Sequence, residues 1–343
     1  AAAPAAAAAP AALTRKDFVA ADPKWCPGCG DYSILAQTQK VMPDFGVPKE
    51  NIVFVSGIGC SGRFPYYMNT YGFHSIHGRA PTIATGLKLA NPELMVWVIT
   101  GDGDALSIGG NHILHAMRKN VDIHVVMFNN RIYGLTKGQA SPTSEVGQKT
   151  KSTPIGSIDY PIHPLMIALA AEASFVARTV DTQTDHLQKV IDQAGRHKGS
   201  TFVEVLQNCN IFNDGAWDSW TDREAREGRI LYLENGQPLV FGKDKTYGIA
   251  RAAGDMKVVE LGADHAEADL IRHDDRREDA SLAFELAQFG QHPEHPLPIG
   301  VFRDVALPAF ETLVHEQMRT VRERLGKGSL ENLIASGEIW QVG

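Results

Sequence analysis

The feature that most constrains this chain is a run of three segments near its middle. ELMVWVIT (93–100) and DIHVVMFN (122–129) are continuous apolar stretches of strand length, and ALSIGGNHILHAMRKN (105–120) between them has helical spacing. An apolar run without polar alternation marks a strand covered on both faces. Two such strands joined through a helix predict a βαβ unit, and therefore a parallel sheet. The alternation extends in both directions. NIVFVS (51–56) precedes it as a strand, while HPLMIALAAEASF, FVARTV, TDHLQKVIDQAGR and STFVEVLQ (200–207) read as helix, strand, helix and strand. The predicted class is α/β, a parallel sheet flanked by helices.

With 343 residues, 43% of them hydrophobic, the chain can bury a large core, and its length suggests about two domains. The opening AAAPAAAAAPAAL (1–13) reads as a disordered low-complexity tail. It is a poor signal segment, because alanine is weakly apolar, prolines break the run and no basic stretch precedes it. Residues 14–228 carry the regular pattern. Residues 229–343 form a less regular C-terminal extension, in which GADHAEADLIRHDDRRE (262–278) reads as a solvated surface segment rather than a metal site. There PEHPLPIGVFRD (293–304) reads as extended and ETLVHEQMRTVRERL as a surface helix. A net charge of −7 and a pI near 6.0 argue against nucleic acid or an anionic membrane as the main partner. No apolar run approaches the roughly 18 residues of a membrane helix.

NIVFVS leads into Gly57-Ile58-Gly59-Cys60-Ser61-Gly62, a literal G-x-G-x-x-G of the kind that forms a dinucleotide-binding turn. That reading needs an acidic residue about 20 positions on, at the end of the next strand. The next acid after Gly62 is Glu93, and RFPYYMNTYGFHSIHGRAPT reads as neither helix nor acid-capped strand. The dinucleotide reading fails. The glycines instead suit a backbone folded closely around a group held by Cys60.

The chain has four cysteines. Cys26 and Cys29 form a C-x-x-C over a Pro-Gly turn, whereas Cys60 and Cys209 each follow a predicted strand, which places them at one edge of a sheet. A chain of this size needs no disulfide staples, so a cytoplasmic, reduced setting is expected and the C-x-x-C points to metal or redox chemistry. Four thiolates suit a 4Fe–4S cluster or tetrahedral zinc, and buried cysteines also serve as small apolar fillers. Spacing does not separate these readings.

Gly101-Asp102-Gly103-Asp104 closes one buried strand and Asn129-Asn130 the next. Both therefore lie at carboxyl ends of parallel strands, where α/β sheets bind ligands. Mg²⁺ prefers oxygen ligands in octahedral array. The Asp102 carboxylate, the Asn130 amide oxygen and a main-chain carbonyl such as that of Ile132 can cover one side of it, with two diphosphate oxygens and a water on the other. The glycines beside Asp102 let backbone amides approach phosphate.

GDG followed some two dozen residues later by NN resembles the thiamine diphosphate fingerprint. WCPGCGD, GIGCSGR, HGRA, GDGDALSIGGNH and NNRIYGLTKGQASPTS, in that order over roughly residues 20–220, with PLPIGVFRD beyond them, resemble the β subunits of 2-oxoacid:ferredoxin oxidoreductases, especially the 2-oxoglutarate type. The resemblance implies a thiamine diphosphate-binding, pyrophosphate-type fold over 14–228, with the extension packing on this core or on a partner subunit. It implies Cys26, Cys29, Cys60 and Cys209 as 4Fe–4S ligands, and Asp102, Asn130 and the Ile132 carbonyl as magnesium ligands. Gly59, Gly78, Arg79, Gly101, Gly103, Asp104, Gly134, Leu135 and Thr136 are implied, with Asp102 and Asn130, as residues around the coenzyme. Arg63 and Lys137 resemble cations near the substrate, either able to pair with its carboxylate, although some relatives carry lysine at the Arg63 position. His77 resembles a hydrogen-bonding group near the reaction centre. The plainer readings are exposed cations and a satisfied interior histidine; His74, His112 and His115 read as structural.

The implied activity is oxidative decarboxylation of 2-oxoglutarate to succinyl-CoA and CO₂, reversible in principle, with one-electron transfers through the cluster to ferredoxin. Thiamine chemistry of this kind generates a reductant that needs a nearby one-electron acceptor, which favours iron–sulfur over zinc. The chain has no second thiamine-type domain to supply the glutamate that activates the coenzyme. The family draws it from an α subunit, so this chain is expected to be complete only as αβ or (αβ)₂. Expected partners are that α subunit, ferredoxin, a 2-oxoacid and coenzyme A. Alternatives are pyruvate or branched-chain 2-oxoacids as substrates, an acetolactate-type enzyme, and a noncatalytic zinc-stabilised binding subunit.

Overall fold

The structure is a computed structural model and describes residues 13–262, 264–340 and 342–343. The expected disordered tail thus lies, apart from Leu13, outside the described residues. The main sheet comprises β1 (Ile52–Ser56), β2 (Tyr71–His74), β3 (Met95–Gly101), β4 (His124–Asn129), β5 (Phe175–Val180), β6 (Thr201–Leu206), β7 (Ile230–Leu233) and β11 (Leu297–Asp304). A small antiparallel sheet is made of β8 (Val240–Phe241), β9 (Tyr247–Ala252) and β10 (Asp255–Glu260). The main sheet is ordered β2-β1-β3-β4-β6-β5-β11-β7. Its strands pair in parallel except where β11 runs antiparallel to β5.

The period-2 geometry of strands divides each apolar run between two faces. Val96 and Val98 of β3 enter one layer with Val53, Val55, Val125 and Met127. Trp97 and Ile99 enter the other with Phe54, Val126 and Phe128. The first layer is covered by α2 (Ala80–Ala90), α4 (Gly110–Arg118), α5 (Pro164–Ala170) and the helix Ser281–Phe289. The second is covered by α1 (Asp31–Val41) and α6 (Thr184–Arg196). In α6, Leu187, Val190, Ile191 and Ala194 form the buried stripe of an amphipathic helix.

β2 escaped the sequence reading because all four of its residues are exposed on the sheet edge, so no apolar run marks it. Beyond residue 229 the pattern is weak for a related reason. Two strands of the extension, β7 and β11, join the main sheet, but β10 is largely solvent-facing and the helix Phe310–Leu325 buries only Glu311. The run PLPIGVFRD is a fully sandwiched strand, β11. No helix among the described residues is long and apolar enough to cross a membrane. The loops after β1, β3, β4, β5 and β6 all leave the same carboxyl edge, and the candidate site is built there.

Candidate active site

One carboxylate ties together the segments that follow β1, β2 and β3. Asp104, in the short helix α3 (Asp102–Leu106) and 2% exposed, accepts hydrogen bonds from the backbone N–H of Ile58 at 3.0 Å and of Gly78 at 2.8 Å, both on Oδ1. Its Oδ2 accepts from the Thr100 hydroxyl at 2.7 Å. The GIGC and HGR segments are thereby tied to GDGD. Gly57 must lack a side chain, since a Cβ there would sit 1.9 Å from Asp104 Oδ2. His77 Nδ1 stands 3.3 Å from Asp104 Oδ1 but makes no hydrogen bond.

The cleft so formed is lined by Gly59, Gly101, Asp102, Gly103, Asp104, Asn130, Ile132, Gly134, Leu135, Thr136 and His77, together with Asp31, Ser61 and Tyr133, which sequence reasoning did not single out. Asp102 is buried, and its Oδ2 accepts from the Ser141 and Thr143 hydroxyls, each at 2.6 Å. Asn130 turns Nδ2 toward Gln207 Oε1 at 2.7 Å, and its Oδ1 accepts from the Ile132 N–H at 3.2 Å. The Tyr133 hydroxyl donates to the Gly103 carbonyl at 3.0 Å. The enclosed space is about 70 Å³, well below the roughly 300–1,000 Å³ of a site that engulfs a drug-sized ligand. A cleft this small grips one part of such a molecule and leaves the rest outside.

Four of the residues named from sequence lie elsewhere. Gly78 is held by Asp104 through its backbone, and Arg79 Nη1 lies 2.7 Å from His112 Nε2. Arg63 Nη1 donates to the Lys24 carbonyl at 2.6 Å. Lys137 is exposed with φ +74°. None of the four lines the cleft.

The four cysteines are free thiols, Cys26 exposed and the others partly buried. They come from three segments. Gly28, at φ +81°, turns the C-x-x-C loop, Trp25 Nε1 donates to the Cys60 carbonyl at 2.8 Å, and Cys209 follows β6. A Cβ on Gly134 would lie 3.5 Å from Cys209 Sγ and 3.6 Å from Cys60 Sγ. Gln207 Nε2 donates to Cys29 Sγ at 3.3 Å. Among the described residues no three His, Cys, Asp or Glu side chains stand close enough to hold one metal ion.

The electrostatics of this edge are one-sided. Burial, reinforced by the Asp31 charge, pushes the Cys60 thiol up to about 12 and Cys29 up as well. Burial raises Asp102 to about 6 and Asp181 to about 6. Asp31 is raised to about 7 by burial and then by the nearby Asp181, and its Oδ2 has no partner. Buried acids such as Asp31, whose Oδ2 has no partner, suit a bound positive charge.

Asp31 gives a direct test of this environment. Its folded pKa is raised, so the cost of ionising it is absent below the unfolded value of 3.8 and complete above about 7. Asp31→Asn should therefore stabilise the metal-free chain by on the order of 2–4 kcal/mol at pH 8. The gain should shrink as the pH falls toward 4. Urea unfolding of both proteins across this range is the measurement, and a gain independent of pH refutes the assignment.

Comparisons with known proteins agree with this geometry. The family described as thiamine pyrophosphate enzyme, C-terminal TPP binding domain, matches residues 57–205. The chain is 48% identical over 331 residues to the 2-oxoglutarate oxidoreductase subunit KorB of Mycobacterium tuberculosis, covering 95% of this chain and 88% of that one. It is 45% identical over 185 residues to the 2-oxoglutarate synthase subunit KorB of Archaeoglobus fulgidus, covering 54% and 69% of the two chains. A solved structure, 2-oxoglutarate:ferredoxin oxidoreductase from Magnetococcus marinus with 2-oxoglutarate, coenzyme A and succinyl-CoA bound, superposes with a TM-score of 0.73 at 32% identity over 94% of this chain and 95% of that one. Sheet, cleft and relatives agree, and the chain belongs to the β subunits of the 2-oxoacid:ferredoxin oxidoreductases, most like those of the 2-oxoglutarate type.

Proposed function

We propose that this chain is the β subunit of a 2-oxoglutarate:ferredoxin oxidoreductase, which converts 2-oxoglutarate and coenzyme A to succinyl-CoA and CO₂ and passes electrons singly to ferredoxin. The single observation that carries the reading is the position of Gly134. It lines the cleft between GDG and NN, and its other side faces the Cys60 and Cys209 sulfurs. Cys60 lines the same cleft, so the proposed coenzyme site and the thiols adjoin.

Within this reading, Asp102, Asn130 and the Ile132 carbonyl hold Mg²⁺, and Cys26, Cys29, Cys60 and Cys209 hold a 4Fe–4S cluster. When bound, thiamine diphosphate supplies the carbon nucleophile and electron sink, and the cluster the one-electron acceptor. The chain's own part is positional. The hydroxyls of Ser141 and Thr143 fix the Asp102 carboxylate, and Asp104 keeps the Cys60 and Asp102 loops in register. Iron is preferred to zinc because thiamine chemistry of this kind generates a reductant that needs a nearby one-electron acceptor, which zinc does not provide. The small enclosed volume supports a site completed by an α subunit, in an αβ or (αβ)₂ assembly. The cytoplasm, where thiols stay reduced, is the proposed compartment. Arg63 and Lys137 reach the substrate, and Arg79 the coenzyme, in this reading only if assembly redirects them.

The test is the anaerobically purified αβ complex. It should be brown, carry about four irons per β chain, and reduce an artificial acceptor faster with 2-oxoglutarate than with pyruvate or branched-chain 2-oxoacids. Cys60→Ser and Cys209→Ser should each lose most of the iron. A colourless complex holding one zinc per chain would point to the noncatalytic binding subunit instead.

A further inference from the structure

Gln207 follows β6, is 1% exposed and joins the two halves of the site. Its Nε2 donates to the Asn208 carbonyl at 2.7 Å and to Cys29 Sγ at 3.3 Å. Its Oε1 accepts from Asn130 Nδ2 at 2.7 Å. The missing side chain of Gly30 makes room for it, since a Cβ there would lie 2.9 Å from Gln207 Cγ.

These contacts fix two amides in sequence. A carbonyl only accepts, so the Asn208 carbonyl dictates that the nitrogen of Gln207 faces it. The Gln207 oxygen then faces Asn130, and Asn130 must answer with its nitrogen. That leaves the Asn130 oxygen turned away, toward the Ile132 N–H. The second hydrogen on Gln207 Nε2 is the one available to the Cys29 sulfur.

We infer that Gln207 is a positioning residue that couples the two centres: it aims the Asn130 amide oxygen at the metal and donates an N–H···S bond to a cluster ligand. The inference rests on the function proposed above. Hydrogen bonds to the sulfurs help set a cluster's potential. A donor favours the more negative, reduced cluster, so its loss moves the potential down.

The experiment uses the assembled αβ complex with Gln207→Met, a side chain of similar length that has no hydrogen-bond donor and only a weak acceptor in its sulfur. In a spectroelectrochemical titration the ratio of reduced to oxidised cluster at the wild-type midpoint should fall about tenfold, a shift of ~59 mV for a one-electron couple. In a separate fluorescence titration the Kd for thiamine diphosphate in the presence of Mg²⁺ should rise about tenfold. A folded variant in which either quantity is unchanged overturns the coupling. If Gln207→Met does not assemble, wild-type complex labelled with ¹⁵N-glutamine is examined by pulsed EPR in the reduced state. A hyperfine coupling from the side-chain nitrogen supports the inference, and its absence overturns it. Asp102→Ala is measured alongside. If it loses coenzyme while Gln207→Met does not, this inference alone falls. If Asp102→Ala binds as wild type, or the wild type holds no iron, the functional reading falls.

Discussion

Asp102→Ala raises the Kd for thiamine diphosphate, measured with Mg²⁺ present, by about a hundredfold or more. On the proposed assignment Asp102 supplies the only charged protein ligand to the ion. Two hydroxyls, from Ser141 and Thr143, hold its Oδ2, so the carboxylate meets the ion without reorienting. Mg²⁺ demands hard oxygen ligands in near-ideal octahedral geometry, and alanine offers none. A loss of about 3 kcal/mol corresponds to roughly two decades in Kd. The loss should be specific to binding. Burial raises the Asp102 carboxyl to about 6, so removing it relieves the metal-free chain of an unpaired buried charge above that pH. Calorimetric titration with and without Mg²⁺, paired with a melting curve of the metal-free protein at pH 8, separates the two effects. An unchanged Kd would remove Asp102 from the magnesium site.

Asp104→Ala has the opposite character and should cost the fold about 3–5 kcal/mol. The substitution strands two backbone N–H groups, of Ile58 and Gly78, and the Thr100 hydroxyl, all of which now end on this carboxylate. A buried donor left without an acceptor costs roughly 1–3 kcal/mol. Asp104→Asn keeps one acceptor oxygen and should fall between the two in urea unfolding. The segments released carry Cys60 on one side and His77 on the other, so iron content and coenzyme affinity should fall together in Asp104→Ala. Loss of one with retention of the other would show that the two loops do not depend on a shared clamp.

Much of this architecture is legible in the sequence, for physical reasons that also mark where legibility ends. β3, β4 and β6 announce themselves because both faces are covered, so most of their residues are apolar, with buried exceptions such as Glu204, which pairs with Arg178. GDGD and NN are readable because their strand ends are. What could not be read is which polar groups meet across the chain. Gln207 and Cys29 are 178 residues apart, and no local pattern in either segment encodes their contact. Ser141 and Thr143 stood inside a motif quoted as a whole, with nothing in their spacing to show that both hydroxyls reach Asp102. Asp104, expected around the coenzyme, lines the cleft but spends its oxygens on two backbone N–H groups and the Thr100 hydroxyl. Asp31 was part of WCPGCGD, yet its burial beside Asp181 depends on the loop after β5. Arg63, Arg79 and Lys137 show the converse. Their side chains are long enough that position in a motif does not decide which way they turn.

Gly134 brings one more consequence. The cleft and the thiols meet at this point: a Cβ on Gly134 would lie 3.5 Å from Cys209 Sγ and 3.6 Å from Cys60 Sγ, and Cys60 itself lines the cleft. An alanine Cβ would meet both sulfurs at ordinary contact distance, whereas a longer side chain would have to displace them or enter the cleft.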